Sequence, residues 1–477
     1  QAAETLYAIA RKQSLMISDL RALMLSIAPL LLTMMLITVG HSLVGTGTAI
    51  RLDLDGFSPN VIGLVGAAYA VGFMAGTLVV PRMIGRVGHI RVFAAFASLL
   101  MISVLVQSIY VGPIGWAFLR MVAGFSIAGV FIMTEGWINE STSNAVRGQV
   151  LSIYISVNYF GITMGQGLIA AIDPADALLF IVAAILISVS VVPLTLANVQ
   201  APAPVETARF PIRKLFRISP LGFCAVFSSG VLNSLLSNFL PILGREVEPD
   251  NTFIATIMLS FILSGFLFQM PAGRLSDKID RRYVIIGSAS LLAIASLAAL
   301  LMSVDTQGKL LCIILLIGAL VPIFYSVGIA HTSDFIDFND MVAASAGLLM
   351  IYGIGTVIGP IIGGQLLNLI GTGPGIFVVV LLIGIALGGF GLYRSIVGDT
   401  VHEDDKADFQ IMRPTTTLAF TFDPRVEEDQ YDLDLGDAAG VYLTASAAGL
   451  ESPAYLDDSL TGEVIGPMET DTTTAVK

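Results

Sequence analysis

One arginine, Arg120, lies inside a long apolar stretch of the sequence, where its charge indicates a functional role. The stretch reads AFLRMVAGFSIAGVFIMTEGW and places Arg120, Gly124 and Ala128 four residues apart, so the three share one face of a helix. A charge inside a membrane span costs a few kcal/mol or more and points to ion or substrate binding. The alternative is that the side chain reaches the membrane surface, because Arg120 lies close to one end of the stretch.

Polar side chains in other apolar stretches are further candidates for binding. Histidine ordinarily titrates near neutral pH, so His41 could carry a coupling proton, or it could simply bond to a neighbouring carbonyl. The segment SSGVLNSLLSN carries a polar stripe at helical spacing, which either lines a cavity or bonds helices together. Gln166 and Tyr352 are weaker candidates. The residues that we predict for coupling or substrate binding are Arg120, His41, Asn233, Asn238, Asn158 and Tyr325.

The composition indicates a membrane protein rather than a soluble one. Of the 477 residues, 55% are hydrophobic and 13% are charged, and the mean hydropathy is +0.84. Soluble domains average about 25% charged residues, and a helix needs about 20 apolar residues to cross the bilayer. We predict an all-α integral membrane protein with twelve transmembrane helices, near 22–50, 60–81, 92–112, 113–138, 149–171, 177–199, 220–243, 252–272, 284–303, 309–330, 341–369 and 375–397.

The basic residues predict the orientation of these spans, because Lys and Arg mark the cytoplasmic side. When the loops are assigned alternately to two sides, Arg51, Arg245 and Lys309 fall on one side and fifteen basic residues on the other. The fifteen are Arg11, Lys12, Arg21, Arg82, Arg86, Arg91, Arg147, Arg209, Arg213, Lys214, Arg217, Arg274, Lys278, Arg281 and Arg282. Both termini are therefore expected in the cytoplasm, and the compact loops favour a bacterial inner membrane.

The net charge of −12 comes from the C-terminal end of the chain. Residues 398–477 carry eighteen acidic and four basic residues, a net charge of −14. We predict that this tail is disordered and that it is either a solvated extension or a docking segment for an unknown partner. The predicted domains are an N-terminal segment (1–21), a six-helix half (22–199), a cytoplasmic linker (200–219), a second six-helix half (220–397) and the acidic tail (398–477).

An internal repeat supports the division into two halves. AGTL at 75–78 corresponds to AGRL at 272–275, and GITMGQGLIA at 161–170 corresponds to GTVIGPIIGG at 355–364, with offsets of 197 and 194 residues. Two like halves in one membrane plane are a common plan for transporters, with the substrate site between them. The repeat therefore favours transport over a receptor or an enzyme.

The segment GRLSDKIDRRYV after span 8 carries a signature that resembles the major facilitator superfamily. Its matching residues are Gly273, Leu275, Asp277, Lys278, Arg281 and Arg282, with Asp280 in place of a glycine. The first-half copy, GTLVVPRMIGRVGHIR, keeps Arg82, Arg86 and Arg91 but lacks the aspartate. The resemblance implies a cytoplasmic gate at both segments, in which the first-half arginines could pair with Glu135 or Glu140. The Arg120 motif also resembles one that this family associates with proton coupling.

Glycines at close spacing predict tightly packed helices. Gly355, Gly359, Pro360, Gly363 and Gly364 follow G-x-x-x-G-P-x-x-G-G in span 11, a pattern that related antiporters usually carry in span 5. Span 5 here keeps Gly161 and Gly165 but has Gln166 where the proline would be. Glycines let a neighbouring backbone come close, and proline permits a bend. We predict packing and hinge roles for these residues and for Gly124, the alternative being packing without motion.

The resemblance implies a secondary transporter that works by alternating access. Proton-coupled efflux of a small organic molecule is the first hypothesis, and proton-coupled import of a small metabolite, anionic if Arg120 faces the cavity, is the second. A non-transporting sensor that signals through the acidic tail is a third hypothesis. Deletion of the tail after residue 400 would distinguish them, because a transporter would keep its flux whereas a sensor would lose its signalling output. We find no phosphate-binding loop, metal-ligand spacing or nucleophile arrangement, so no enzyme activity, cofactor or nucleic-acid partner is expected. The segment HTSDFIDFND after span 10 is expected to be a solvated loop or part of the gate.

Overall fold

The computed structural model describes residues 2–142, 144–196, 211–302, 304–336 and 341–397, and these stretches contain helices and no strand. The predicted acidic tail therefore lies outside the described residues. The helices are α1 (Ala2–Leu54), α2 (Pro59–Val87), α3 (His89–Ile109), α4 (Pro113–Ser141), α5 (Asn144–Ile169), α6 (Leu178–Leu196), α7 (Ile212–Ile218), α8 (Pro220–Val247), α9 (Asn251–Lys278), α10 (Arg281–Met302), α11 (Gln307–Ser333), α12 (Met341–Ile370) and α13 (Thr372–Val397). All except the seven-residue α7 are long.

Eleven of the described helices are long and apolar enough to cross a membrane, which confirms the predicted class of all-α integral membrane protein. In α1 the qualifying part is Ile27–Leu54. The helix α5 is long but is not among the eleven, because polar residues such as Asn158 and Gln166 interrupt its apolar sequence. A twelfth span at α5 therefore remains a prediction.

Two helices continue well past the ends predicted for them. Pro81 lies inside α2, which ends at Val87, and Pro271 lies inside α9, which ends at Lys278. The spans predicted to end near 81 and 272 therefore each continue for six more residues. A proline removes one helical hydrogen bond, whereas leaving the helix inside the bilayer would expose several unpaired backbone groups. The chain instead turns at Gly88, whose φ of 88° favours glycine.

The six long helices on each side of α7 pack in the same pairwise order. In the first half, α1 packs on α5 and α6, α4 packs on α2 and α3, and α3 packs on α6. In the second half, α8 packs on α12 and α13, α11 packs on α9 and α10, and α10 packs on α13. The sequence repeat thus corresponds to a repeat of packing.

The two halves meet mainly through α2 against α12 and through α5 against α9. Because the helices alternate in direction, the turn between α1 and α2 lies at the same end of the bundle as the turns α8–α9 and α12–α13. We call this the α1–α2 end, and we call the opposite end, with the turns α2–α3 and α9–α10, the α2–α3 end. At the α1–α2 end the α2 and α12 backbones touch, since a Cβ on Gly63 would overlap the Pro360 carbonyl oxygen and one on Gly364 would overlap that of Pro59.

A buried ion pair joins α10 to the end of α11. The Arg281 Nε lies 3.2 Å from the Asp334 Oδ2, and both side chains are almost fully buried. The Arg281 Nη2 also lies 3.5 Å from Asp277 on α9. Asp334 is therefore not in a solvated loop, as the sequence had favoured, but is a structural partner of the signature segment; Asp337 and Asp340 lie outside the described residues.

We expect Asp334→Ala to lower the thermal unfolding midpoint of the purified protein. Removing one partner of a buried pair costs about 3–5 kcal/mol because a charge is left uncompensated, and the remaining contact with Asp277 should reduce this cost. Asp305→Ala is the matched control, since Asp305 pairs with Lys309 in an exposed position. Equal midpoints for the two variants would contradict a structural role for the Arg281–Asp334 pair.

Candidate functional site

A cavity of about 360 Å³ lies between the two halves. Its walls come from α1, α2, α4 and α5 of the first half and from α8, α9, α11 and α12 of the second. Each half thus contributes the same four helices of the repeat. Of the six residues predicted for coupling or substrate binding, five line this cavity: Arg120, His41, Asn233, Asn238 and Tyr325.

The Arg120 guanidinium faces the cavity rather than the membrane surface. Its Cζ lies 4.6 Å from the centroid of the Tyr69 ring, in a cation–π contact. The Arg120 side chain is 6% exposed, and its Nη1 has no hydrogen-bond partner among the described residues. The arginine therefore presents a donor that the described part of the protein leaves unused.

Tyr69 connects Arg120 to His41. The Tyr69 ring stacks on the His41 ring with 5.2 Å between centroids, and the Tyr69 Oη lies 3.1 Å from the His41 Nε2. The direction of this hydrogen bond depends on whether the His41 Nε2 carries a hydrogen, because a bare Nε2 accepts a hydrogen bond from the tyrosine hydroxyl whereas a protonated Nε2 donates one. His41, a titratable side chain, thus contacts the same Tyr69 ring that the Arg120 guanidinium contacts.

The small residues of the Arg120 motif explain how this arrangement is positioned. A Cβ on Gly124 would overlap the Tyr69 carbonyl oxygen. A Cβ on Gly76 would lie only 2.7 Å from the Ala128 Cβ. The α4 and α2 backbones therefore touch at Tyr69. Because Arg120 is one turn from Gly124 on the same face, this contact places its guanidinium over the Tyr69 ring.

The opposite wall carries the polar stripe of α8. Asn233, Ser234, Ser237 and Asn238 all line the cavity. The Asn238 Nδ2 donates to the Ser234 carbonyl at 2.8 Å. The stripe therefore lines the cavity, which was one of the two alternatives given for this segment. The Asn238 side chain also bonds within its own helix.

Aromatic side chains contact each other around the same cavity. Tyr325 of α11 and Tyr352 of α12 meet edge to face, with 5.1 Å between centroids. Tyr159 of α5 lines the cavity and packs on Phe266 of α9 with 4.6 Å between centroids. This second contact joins the two halves.

The glutamine in the place of the antiporter proline ties α5 to α1. The Gln166 Nε2 donates to the Ser42 Oγ at 2.8 Å, and its Oε1 accepts from the Thr46 Oγ1 at 3.0 Å. Beside it, a Cβ on Gly161 or Gly165 would overlap atoms of α1. Span 5 therefore keeps the close packing of the motif but replaces the proline by side-chain hydrogen bonds.

The glycines of α12 face two different neighbours. A Cβ on Gly355, Gly359 or Gly363 would overlap α8, within the second half. Gly364 and the Pro360 carbonyl instead touch α2, across the two halves. Each of these α12 residues thus has a close contact of the kind that a packing role requires. A hinge role remains a prediction.

Asn158 does not line the cavity with the other candidates. It is buried within the first half, and its Nδ2 donates to the Tyr154 carbonyl at 2.9 Å. Glu135 is also buried, and it accepts a hydrogen bond from the Tyr154 hydroxyl at 3.2 Å. Both residues belong to the α4–α5 region next to the cavity.

The predicted gate residues lie at the α2–α3 end. Arg82, Arg86 and Arg91 are exposed and form no ion pair with the described residues. Their predicted pairing with Glu135 is thus not present in the described part, and the Glu140 side chain lies outside it. In the second half, Gly273 and Asp277 are on α9 with the exposed Lys278 at its end, and Arg281 and Arg282 begin α10. A gating role for these residues remains a prediction.

An ion pair between the halves lies at the α1–α2 end. The Arg245 Nη1 of α8 lies 2.5 Å from the Asp53 Oδ2 of α1, and both side chains are about one-third exposed. Next to it, Thr372 donates to the Glu246 Oε1 at 2.5 Å. In the sequence Arg245 is recognisable only as a loop charge, because nothing in the chain indicates a partner 192 residues away.

We expect Arg245→Glu to shift the population toward states in which the α1–α2 end is open. Pairs this exposed contribute up to about 1 kcal/mol, so loss of the attraction alone should shift the population by up to about fivefold. Repulsion between the introduced carboxylate and Asp53 should add to this shift. Spin labels on Ser58→Cys and Pro249→Cys, with Cys224 and Cys312 replaced by serine, would measure the distance across this end. The double variant Asp53→Arg and Arg245→Asp should restore the original distribution, and failure to restore it would contradict the pairing.

Tyr69 is the main cavity residue that sequence reasoning missed. It contacts both Arg120 and His41, yet in the sequence it is a single tyrosine in an apolar span. The one available signal is the Gly124 spacing, which predicts a close helix neighbour without saying which residue it is. Among the described residues, no group of three or more His, Cys, Asp or Glu is placed to hold a metal ion.

Two packed helical halves around a solute-sized cavity define a membrane transport protein. The chain belongs to the Major Facilitator Superfamily, whose family model matches residues 24–247 and 222–421. It is similar to the uncharacterized MFS-type transporter YcaD of Salmonella typhimurium, with 26% identity over 71% of this chain and 88% of that protein. The YcaD protein of Salmonella arizonae is 25% identical over 69% of this chain and 86% of that protein.

Solved structures of transporters share the fold. A bacterial homologue of the human lysosomal transporter Spinster, inward-facing and unoccupied, superposes with a TM-score of 0.67, covering 80% of this chain and 98% of that chain at 13% identity. The nucleoside transporter NupG superposes with a TM-score of 0.64, covering 77% and 98% at 14% identity. At these identities the likeness concerns the fold alone. The family and the fold together support secondary transport.

Proposed function

We propose that the chain is a secondary active transporter that moves a small organic molecule by alternating access, coupled to protons and in the direction of efflux. The observation that carries this proposal is the cavity, which lies between two like halves and receives the same four helices from each. Such a cavity can be opened to either side when one half rocks against the other. The contacts between α2 and α12 close it at the α1–α2 end.

The proposed orientation has twelve spans, with the α2–α3 end and both termini in the cytoplasm of a bacterial inner membrane. The excess of Lys and Arg at that end supports this side. The α1–α2 end, where the α2 and α12 backbones touch, then faces outward. The lipid bilayer is thus the permanent partner of the chain, and a role for the acidic tail stays a prediction.

Proton coupling is proposed to use His41, because it is a titratable side chain at the cavity wall. A proton on His41 removes its ability to accept from Tyr69 and adds a positive charge near Arg120. Protonation of His41 would thereby change the position of the Tyr69 ring relative to the Arg120 guanidinium. An exchange of substrate for protons needs a link of this kind between two ligands.

The test uses purified protein in proteoliposomes with a pH-sensitive dye inside. Vesicles loaded with members of a panel of lipophilic cations, sugars and organic anions are diluted into substrate-free medium. Under antiport, each leaving substrate drives protons in and the lumen becomes more acidic. The sign does not depend on how the protein is inserted, and protein-free vesicles are the control.

The same measurement tests import by proton symport, which the buried and unpaired charge of Arg120 at the cavity wall favours for an anionic metabolite. Under symport the leaving substrate takes protons with it, and the lumen becomes more alkaline. Labelled substrate that crosses without any proton signal would contradict proton coupling but retain transport. Absence of both signals across the panel would contradict the transport proposal.

A further inference from the structure

With His41 neutral, the cavity has one described cation and no described carboxylate on its walls. Arg120 is the cation, and the remaining polar lining consists of hydroxyl, amide and imidazole groups such as those of Tyr69, Gln269 and His41. The Arg120 side chain is 94% buried, being 6% exposed, and its Nη1 has no hydrogen-bond partner among the described residues. A buried charge without a counter-ion is costly, and a ligand of opposite charge would remove that cost.

The charge balance also decides what the cavity would reject. A cationic ligand would bring a second positive charge next to Arg120 without any described carboxylate to compensate it. At a separation of about 4 Å, two like charges repel by several kcal/mol even at an effective dielectric constant near 20. A ligand with two negative charges would in turn leave one charge unbalanced. A single negative charge fits the described lining best.

The rest of the wall indicates an apolar body for the ligand. The rings of Phe73, Phe131, Phe261, Tyr159 and Tyr352 line the cavity together with that of Tyr69. Amides on the facing wall, such as Asn233 and Asn238, offer hydrogen bonds at its edge. A volume of about 360 Å³ lies at the small end of the range for sites that bind drug-sized molecules.

We infer that the substrate class is small organic monoanions, with a carboxylate that accepts from the Arg120 guanidinium and an aromatic or aliphatic body against the ring-lined wall. This inference deepens the proposed function and rests on it. The cation–π contact with Tyr69 holds the planar guanidinium in one orientation, so its free donor is preorganised for one oxygen of the ligand. Lipophilic cations are excluded as preferred substrates by the same geometry.

The experiment compares matched ligands that differ only in charge. The probes are phenylacetate, 3-phenylpropionate and hexanoate, each with its primary amide and its primary amine, and binding is measured from the thermal unfolding midpoint of the purified full chain. Each carboxylate should bind at least about tenfold more tightly than its amide, because it receives a charge-assisted hydrogen bond. The amines should bind more weakly than the amides.

Two variants assign the preference to the cavity. Arg120→Gln should reduce the preference for carboxylate over amide to near unity, while leaving amide binding within about threefold, since the neutral body still contacts the rings. Arg213→Gln removes an exposed arginine on α7 and should keep the wild-type preference. Tighter binding of an amide or amine, absence of carboxylate binding, or a preference that survives in Arg120→Gln would overturn the inference.

The test also separates this inference from the proposed function, because binding does not require flux. If a sugar or a lipophilic cation crosses proteoliposomes with a proton signal and no carboxylate binds, the transport proposal stands and the substrate class is wrong. If carboxylates bind with the expected preference but nothing crosses, the substrate class stands for the cavity and the transport proposal is wrong.

Discussion

Replacing Arg120 with lysine is expected to leave the protein folded in the membrane but to uncouple substrate flux from the pH gradient. Lysine keeps the positive charge but has neither the planar guanidinium nor its second terminal nitrogen. The contact with the Tyr69 ring, at 4.6 Å in the wild type, would be lost or weakened. Because that ring also bonds to His41, protonation of His41 would no longer act on the cation in the cavity.

The expected size of this effect is large. A desolvated cation–π contact contributes about 2 kcal/mol, which corresponds to a change of roughly thirtyfold in an equilibrium. Dye-loaded proteoliposomes would report substrate efflux and proton movement in the same sample, so their ratio can be compared with that of the wild type. Arg213→Lys, the same change at an exposed site on α7, should leave the ratio unchanged. A wild-type ratio in Arg120→Lys would refute the proposed coupling.

Gly359→Val is expected to abolish turnover without preventing insertion into the membrane. A Cβ at this position would overlap the Val231 carbonyl oxygen and the Ser234 Oγ, and the backbone oxygen cannot move away as a side chain can. The valine would therefore force α12 away from α8, typically at a cost of about 1–3 kcal/mol or more. The same helix carries Gly364 and Pro360 against α2, so the contact between the halves would shift as well.

The measurement compares flux with the yield of monodisperse protein from membranes. Gly287→Val is the matched control, because a Cβ on Gly287 of α10 would meet nothing within 4 Å. That variant should keep both yield and flux. Wild-type flux in Gly359→Val would show that the α8–α12 distance is not critical, and loss of protein from the membrane would assign the glycine to folding instead.

Composition and helical spacing predicted the membrane class and most of the helices, because the bilayer allows few structures. A span without internal backbone hydrogen bonds is too costly in lipid, so a long apolar stretch has one solution. The same argument favoured inward positions for Arg120, His41 and Asn233, since polar groups in a bundle turn inward, although it left open the membrane surface for Arg120 and simple helix-to-helix bonding for the other two. The repeat of two similar halves predicted a substrate site between them, and these three residues line the cavity found there. Their roles in coupling remain predictions.

What the sequence did not predict depends on contacts between distant residues. The Arg245–Asp53 pair joins residues 192 positions apart, and no local pattern marks them as partners. Asp334 looked like a solvated residue because its neighbours are polar, yet its carboxylate contacts Arg281. Proline signals also misled, since Pro81 and Pro271 lie inside helices where the cost of one lost hydrogen bond is lower than that of ending the helix.

The contact of α2 with α12 at the α1–α2 end consists of glycines facing carbonyl oxygens, Gly63 with Pro360 and Gly364 with Pro59. Separating these surfaces frees no side-chain rotamers and breaks no backbone hydrogen bond, so the entropy gained on opening should be small. The equilibrium between closed and open forms of this end should depend on ionic strength, because the Arg245–Asp53 pair, about one-third exposed, is screened by salt. A switch of this kind would respond to the salt of the medium that bathes the α1–α2 end.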